Sequence, residues 1–299
     1  EQSDDSFPVR PHPTIMSISI ISRSILSNVG NRGQMLPRLA GAVRWQISKR
    51  LFATSRELKL ANGAKFVAHP DCVVSSALIY ADWPEYHELQ FVRRRLTAQD
   101  VVIDIGANVG HVSLLLSDIV TEKNIFAFEP TPVTYSRLKK NWEKNNWATD
   151  QLFQVALGDE TGEIDIPDVT HPDTKNSVCG NRSADTPVVS TPLRPLDSFR
   201  DQWKGRQLGL LKIDVEGFEA QVFAGAIKTL RDDRPQLLMF ESLAEEPPQA
   251  IRDAFDRADY RIFQLDDNGR PDLTRQNSQN LFAIPAELTE TLTTTLKAA

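Results

Sequence analysis

Three carboxylates in this 299-residue chain stand at the ends of apolar runs, where a buried strand would deliver them to a ligand. Asp104 lies in VVIDIGANVG (101–110), Glu129 closes IFAFEP (125–130), and Asp214 follows LGLLKI (208–213). In the first run, Gly106 and Gly110 let the backbone approach a ligand without a Cβ in the way. The N–H groups opening the following helix are unpaired and point the same way. A dinucleotide loop would read GxGxxG. Here Asn108 stands in the middle and the pattern is DxGxNxG, which disfavours a pyrophosphate. Asp104 suits instead a cationic, amino-acid-bearing ligand whose ammonium needs an acceptor. Glu129 can accept both hydroxyls of a ribose. An adenine edge would lie at the next strand end, Ala156 to Asp159. Taken singly, Asp104 and Glu129 also read as helix caps; taken together they describe one ligand.

Read in order, DIGANVG, FEP, ALGD and LKIDVEGFEAQVFAGA resemble the FkbM family of S-adenosylmethionine-dependent methyltransferases. The resemblance continues through LLMFES to NLFAIP and spans roughly residues 58–285. DxGxxxG alone would mark only the wider Rossmann-like methyltransferase class. The resemblance implies S-adenosylmethionine as cofactor, bound by Asp104, Gly106, Asn108, Gly110 and Glu129. It also implies that Glu85, in the helix before the first strand, faces the cofactor site. Phe240 departs from the smaller aliphatic residue or Met that the family usually places before the acid at Glu241.

The sulfonium of such a cofactor already activates its methyl carbon, so the protein must mainly align the acceptor. An alcohol acceptor also gains from a group that takes its proton. Asp214, or Glu216 across the same turn, is the best-placed carboxylate, Glu241 could line the same pocket, and His111 is the best-placed histidine. The competing reading makes Asp214 a helix cap, with Glu216 and Glu219 complementing the helix dipole. The expected activity is O-methylation of a hydroxyl on a sugar, glycan, lipid-linked saccharide or natural product. The alternatives are N-methylation of an amine or protein side chain, and a non-catalytic cofactor-binding scaffold. The absence of an Asn-Pro-Pro-aromatic motif argues against a nucleobase amino group. Aromatic and basic residues are not interleaved as in a nucleic-acid platform, so no nucleic-acid partner is expected. His69, His87 and His171 lack ligand spacing and no CxxC occurs, so no metal is expected.

Strands must carry these acids to one edge. Runs at 101–105, 124–128, 152–156, 208–213 and 236–240 read as strands, alternating with helices at 112–119, 132–146 and 216–230. The pattern predicts a doubly wound Rossmann-like α/β sheet, mostly parallel. Runs at 260–264 and 280–284 supply an antiparallel edge, after a helix at 248–258. Asn62-Gly63 reads as a hairpin turn between 58–60 and 64–68, and Pro84 opens a helix that runs to Leu96. Residues 163–195 hold five prolines and read as an irregular insertion able to include a hairpin, of which 167–195, kept from regular pairing by its prolines, is expected to cover the acceptor site as a mobile lid. The expected organisation is a basic, partly helical N-terminal extension (1–57), a methyltransferase domain (58–285) and a peripheral tail (286–299).

With 40% hydrophobic and 25% charged residues the chain can bury a sizeable core, which excludes a disordered or coiled-coil chain. No run of about 18 to 20 residues is apolar and uncharged, so no transmembrane helix is expected. Two cysteines, Cys72 and Cys179, fit a reducing compartment, and residues 1–14 show no secretory pattern; a cytoplasmic location is expected. The net charge of -6 is uneven: from Arg10 to Lys65 ten Lys or Arg face one acid, Glu57. Within that stretch Leu36, Leu39, Val43, Ile47 and Leu51 recur at helical spacing, an amphipathic basic helix. Residues 10–65 therefore either meet a membrane surface or acidic partner, or dock on the acidic remainder of their own chain.

Overall fold

The computed structural model describes residues 18–167, 187–242 and 246–292. Outside them lie residues 1–14 of the signal reading, the middle of the expected insertion with His171 and Cys179, and the end of the tail. The described chain opens on α1 (Ile18–Ser27) and α2 (Met35–Leu51), which lead into the hairpin β1 (Arg56–Lys59) and β2 (Lys65–Ala68). Gly63, at φ +94°, turns that hairpin, as its Asn-Gly pair requires. Next come α3 (Val73–Tyr80) and α4 (Tyr86–Arg93). α3 was not expected, because VVSSALIY shows no helical period. α4 is shorter than the expected Pro84–Leu96 helix, and Glu85 precedes it in a left-handed conformation (φ +50°) instead of lying within it.

The described part of the basic extension, from residue 18 on, docks on its own chain. Trp45 Nε1 of α2 donates to Ser76 Oγ of α3 at 3.0 Å, and Asn31 Nδ2 donates to Tyr80 O at 2.9 Å. Arg38 of α2 pairs with Asp82. The docked face of α2 is not its apolar stripe. A surface helix ordinarily turns that stripe to the core, but here Ala42, Trp45 and Lys49 are buried while Leu36, Val43, Ile47 and Leu51 are exposed.

Parallel strands covered on both faces read as continuous apolar runs. Accordingly β3 (Val101–Ile105), β4 (Ile125–Phe128) and, later, β9 (Leu208–Ile213) are buried at every position. α5 (His111–Leu116) and α6 (Pro132–Lys144) make the crossovers around β4, with Pro132 in the first turn of α6. The expected third strand, 152–156, is split. β5 (Leu152–Phe153) joins β4, whereas β6 (Ala156–Leu157) turns away into a three-stranded sheet with β7 (Gly162–Pro167) and β8 (Val188–Arg194). The flanks of the insertion are thus regular, from Gly162 opposite Leu193 to Pro167 opposite Val188. Prolines are tolerated on strands with a free side; at Pro192 only β7 accompanies β8, since β6 pairs just Leu193 and Arg194. A lid over 167–195 with no regular pairing is therefore overturned for 188–194; residues 168–186 lie outside the described residues.

The expected 216–230 helix is also corrected: α7 spans only Glu219–Ala224, and Thr229–Asp233 forms a separate π-helical turn. β10 (Leu238–Glu241), α8 (Gln249–Ala258), β11 (Tyr260–Leu265), β12 (Pro271–Asp272) and β13 (Asn280–Pro285) complete the order. The main sheet runs β12-β11-β13-β10-β9-β3-β4-β5, parallel from β10 to β5 and antiparallel at the β13, β11, β12 edge. Alternation divides the core: Val102, Leu210 and Met239 face one layer, Ile103, Leu211 and Phe240 the other.

Candidate active site

From β3 the chain winds outward to β4 and β5, and from β9 it winds the other way to β10, so the carboxyl ends of β3 and β9 form the switch point where ligands bind in such sheets. The two exits touch. Asp214 N donates to Ile105 O at 3.1 Å, and a Cβ on Gly106 would lie 1.8 Å from Asp214 O. A Cβ on Gly110 would meet Leu138 Cδ1 of α6 at 2.5 Å. Both glycines also hold positive φ, +69° and +83°. The chain's own packing therefore demands both glycines before any ligand is considered, and Gly106 also lines a cleft at the crossing. Asn108, at φ +52°, steadies the turn by accepting from Val109 N through its own Oδ1 at 2.9 Å.

Asp104 also departs from expectation. Its side chain is wholly buried on the Val102 face and offers no surface to a ligand ammonium. Its Oδ2 accepts from Ser113 Oγ at 2.7 Å, and its Oδ1 lies 3.1 Å from Lys212 Nζ. Lys212, 4% exposed, also donates to Gly106 O at 3.0 Å and sits 3.5 Å from Asp214 Oδ2. Burial alone would lower the Lys212 pKa, but Asp104 and Asp214 outweigh it and raise it, so the ammonium stays charged. This lysine ties the loop after β3 to the loop after β9 and carried no role in the sequence reading. The available signal was a charge ending an otherwise apolar strand, which must find a partner when buried.

Glu129 clamps the next strand end. Its Oε2 accepts from Asn108 N and its Oε1 from Thr131 N, each at 3.0 Å. Burial pushes its pKa up, and those two N–H groups oppose the rise. The Thr131 side chain adds a third hydrogen bond to this carboxylate, whose two oxygens together can accept about four.

Two clefts flank the crossing. One, of ≈ 350 Å³, is apolar and lined by Ile105, Phe128, Ala156, Ile164 and Phe218 beside Gly106. The other, of ≈ 250 Å³, is polar and lined by Glu85, His111, Lys212, Asp214 and Glu241. Asp214, Glu216 and Glu241 each bring a carboxylate oxygen within 4.8 Å of the others, close enough to hold a cation in common. The crowding has electrostatic consequences. Desolvation, then Glu241 and Asp214, push Glu216 up to about 7; desolvation, then Asp214 and Glu88, do the same for Glu85. Glu241 is raised chiefly by burial; Gln279 Nε2 donates to its Oε1 at 2.6 Å, while its Oε2 has no hydrogen-bond partner. His111 is lowered to about 4 by burial and then by Lys212, so it is neutral at pH 7, and its Nδ1 is buried without a partner. Glu216 holds φ +54°, a conformation that non-glycine residues rarely adopt.

The cap reading of Asp214 does not survive. α7 begins at Glu219, five residues on, and no side chain caps it. Glu219 itself secures the turn, its Oε1 accepting from Val215 N at 3.2 Å and Gly217 N at 3.1 Å. The structure thus brings Glu85, Asp214 and Glu216 to the polar side and Ala156 to the apolar side, with Gly106 between them and Asp104 in support below.

A family model described as the methyltransferase FkbM domain matches residues 104–262, from Asp104 itself through β11. The chain belongs to the FkbM methyltransferase domain family. Among curated proteins it is 27% identical to "Methyltransferase 1" of Beauveria bassiana over 42% of this chain and 57% of that one. It is 28% identical to the hexuronic acid methyltransferase AglP of Haloferax volcanii, over 44% and 52%. It is likewise 28% identical to the 2-O-methyltransferase NoeI of Sinorhizobium fredii, over 45% and 60%. The match therefore spans little more than half the length of these FkbM-domain relatives.

Proposed function

We propose that this FkbM-domain chain transfers a methyl group from S-adenosylmethionine to a hydroxyl oxygen of a saccharide or related natural product. The observation that carries the reading is the meeting of Asp214, Glu216 and Glu241 at the strand-end crossing, next to an apolar cleft. The names of NoeI and AglP, a 2-O-methyltransferase and a hexuronic acid methyltransferase, support oxygen and sugar as the acceptor class.

The residues present fit the cofactor. The cleft of Ile105, Phe128, Ala156 and Ile164 takes a flat apolar base. Glu129, fixed by two backbone N–H groups and the Thr131 side chain, has acceptor capacity left for a ribose hydroxyl. Glu85, in the lining of the polar cleft, offers an acceptor to an ammonium, the part first expected of Asp104. When bound, the cofactor supplies a methyl carbon activated by its sulfonium. In that transfer the methyl C–S bond would be exchanged for the new C–O bond and S-adenosylhomocysteine would leave; Asp214 would orient the acceptor hydroxyl, and Glu216, with a pKa of about 7, would take its proton.

The test uses methyl-labelled S-adenosylmethionine against a panel of hydroxylated saccharides and of amines. Label is expected on oxygen. Asp214→Asn and Glu216→Gln should each lower turnover at saturating cofactor roughly 10²-fold with cofactor affinity kept. The wild-type rate should climb as pH rises through about 7, a limb that Glu216→Gln removes. Label on amines alone, or near-normal turnover in both variants, would sink the reading.

A further inference from the structure

The inverted placement of α2 leaves an apolar stripe facing outward. Leu36 is 80% exposed, Val43 59%, Ile47 48% and Leu51 70%, and Phe52 follows at 64%. At 3.6 residues per turn Leu36, Val43 and Ile47 fall on one line along the helix, with Arg50 and Arg44 on its two sides. Both arginines are exposed. The opposite side is anchored by Trp45 and Lys49 to Ser76 and by Arg38 to Asp82, so turning the stripe inward would break those contacts. Isolated exposed apolar residues are ordinary, but a contiguous stripe flanked by charges of one sign marks an interaction surface.

We propose that the outward face of α2 docks on an anionic lipid bilayer, lying in the interface with Leu36, Val43, Ile47 and Leu51 among the acyl chains. Arg44 and Arg50 meet the headgroup phosphates. Charge selects this occupant. From residue 18 to residue 56 the chain contains no Asp or Glu, so the surface matches a negative plane and nothing on it complements another basic surface. A second copy packed through the same face by a two-fold axis would set arginines against arginines around the stripe. The docking is independent of the methyl-transfer chemistry.

The test is cosedimentation of the full chain with phosphatidylcholine vesicles, with and without about 30 mol% phosphatidylserine or phosphatidylglycerol. The chain should bind the anionic vesicles and bind neutral ones at least about tenfold more weakly, with salt weakening the first. Arg44→Glu with Arg50→Glu should lower anionic binding by about 30-fold or more, since each lost surface arginine is worth roughly fivefold in partitioning. Ile47→Glu with Leu51→Glu should abolish it, while an unchanged melting midpoint shows that the exposed substitutions leave the fold intact. Equal binding of both vesicle types, or wild-type binding by either double variant, overturns the proposal. A concentration-dependent dimer lost in Ile47→Glu/Leu51→Glu, with no vesicle binding by the wild type, overturns it in favour of a second copy.

Discussion

Replacing Lys212 by Met keeps the length of the side chain and removes the cation that faces Asp104 in the core. Asp104 is 0% exposed and Lys212 4%, so water cannot take over the lost pairing. Asp104 would be left with Ser113 alone, and Gly106 O would lose its donor at 3.0 Å. Breaking a buried pair from one side costs about 3–5 kcal/mol, a large share of a typical domain's stability. Urea unfolding followed by circular dichroism should show that loss as a shifted midpoint at unchanged slope. Asp104→Asn keeps an acceptor for Ser113 but removes the charge. Combined with Lys212→Met it should be less destabilising than the two singles added together, by at least about 1.5 kcal/mol. Singles that add to within about 0.5 kcal/mol would show that the pair does not couple, and the role given to Lys212 in joining the two loops would be wrong.

Gly106→Ala should be destabilising in the apo protein, by about 2 kcal/mol or more, because its Cβ would fall 1.8 Å from Asp214 O at a backbone φ of +69°. Urea unfolding without any ligand checks this; a neutral substitution would restore ligand approach as the reason for the glycine. Glu85 and Glu216 are both raised from 4.5 to about 7, so the folded state holds more protons than the unfolded one between those values. Stability should therefore fall as pH rises across that window, and Glu85→Gln should flatten the fall. A wild-type urea midpoint that rises from pH 5 to 7 more steeply than that of Glu85→Gln would contradict the crowding of the carboxylates.

The parallel half of the sheet was plain in the sequence because strands buried on both faces leave unbroken apolar runs; β3 and β9 fall on the expected residues. The strand-end acids followed from the same runs. What each acid touches was not legible. Alternation places Asp104 with Val102, inside the layer, but its partner Lys212 comes from a strand far along the chain. The stripe of α2 was visible as a period, yet periodicity does not tell which side docks; Trp45 and its bond to Ser76 decide that. A hairpin within the insertion was among the expectations and β7 pairs antiparallel with β8, but its extent was not legible, since a proline is compatible with a strand only where one side is free, a fact about neighbours. Glu219 stands in the first turn of α7, where it complements the dipole as the sequence suggests, and it also holds the turn before α7 through Val215 and Gly217, which was not legible.

The central claim is that the apolar cleft beside Gly106 and the clamp at Glu129 form an S-adenosyl site. Isothermal titration of the wild-type chain with S-adenosylhomocysteine and, separately, with NAD tests it most directly. One-to-one binding of the adenosyl ligand is expected with a negative heat-capacity change, the mark of an apolar base entering the cleft of Phe128 and Ile164, and no binding of NAD. Binding of NAD without binding of S-adenosylhomocysteine would contradict it.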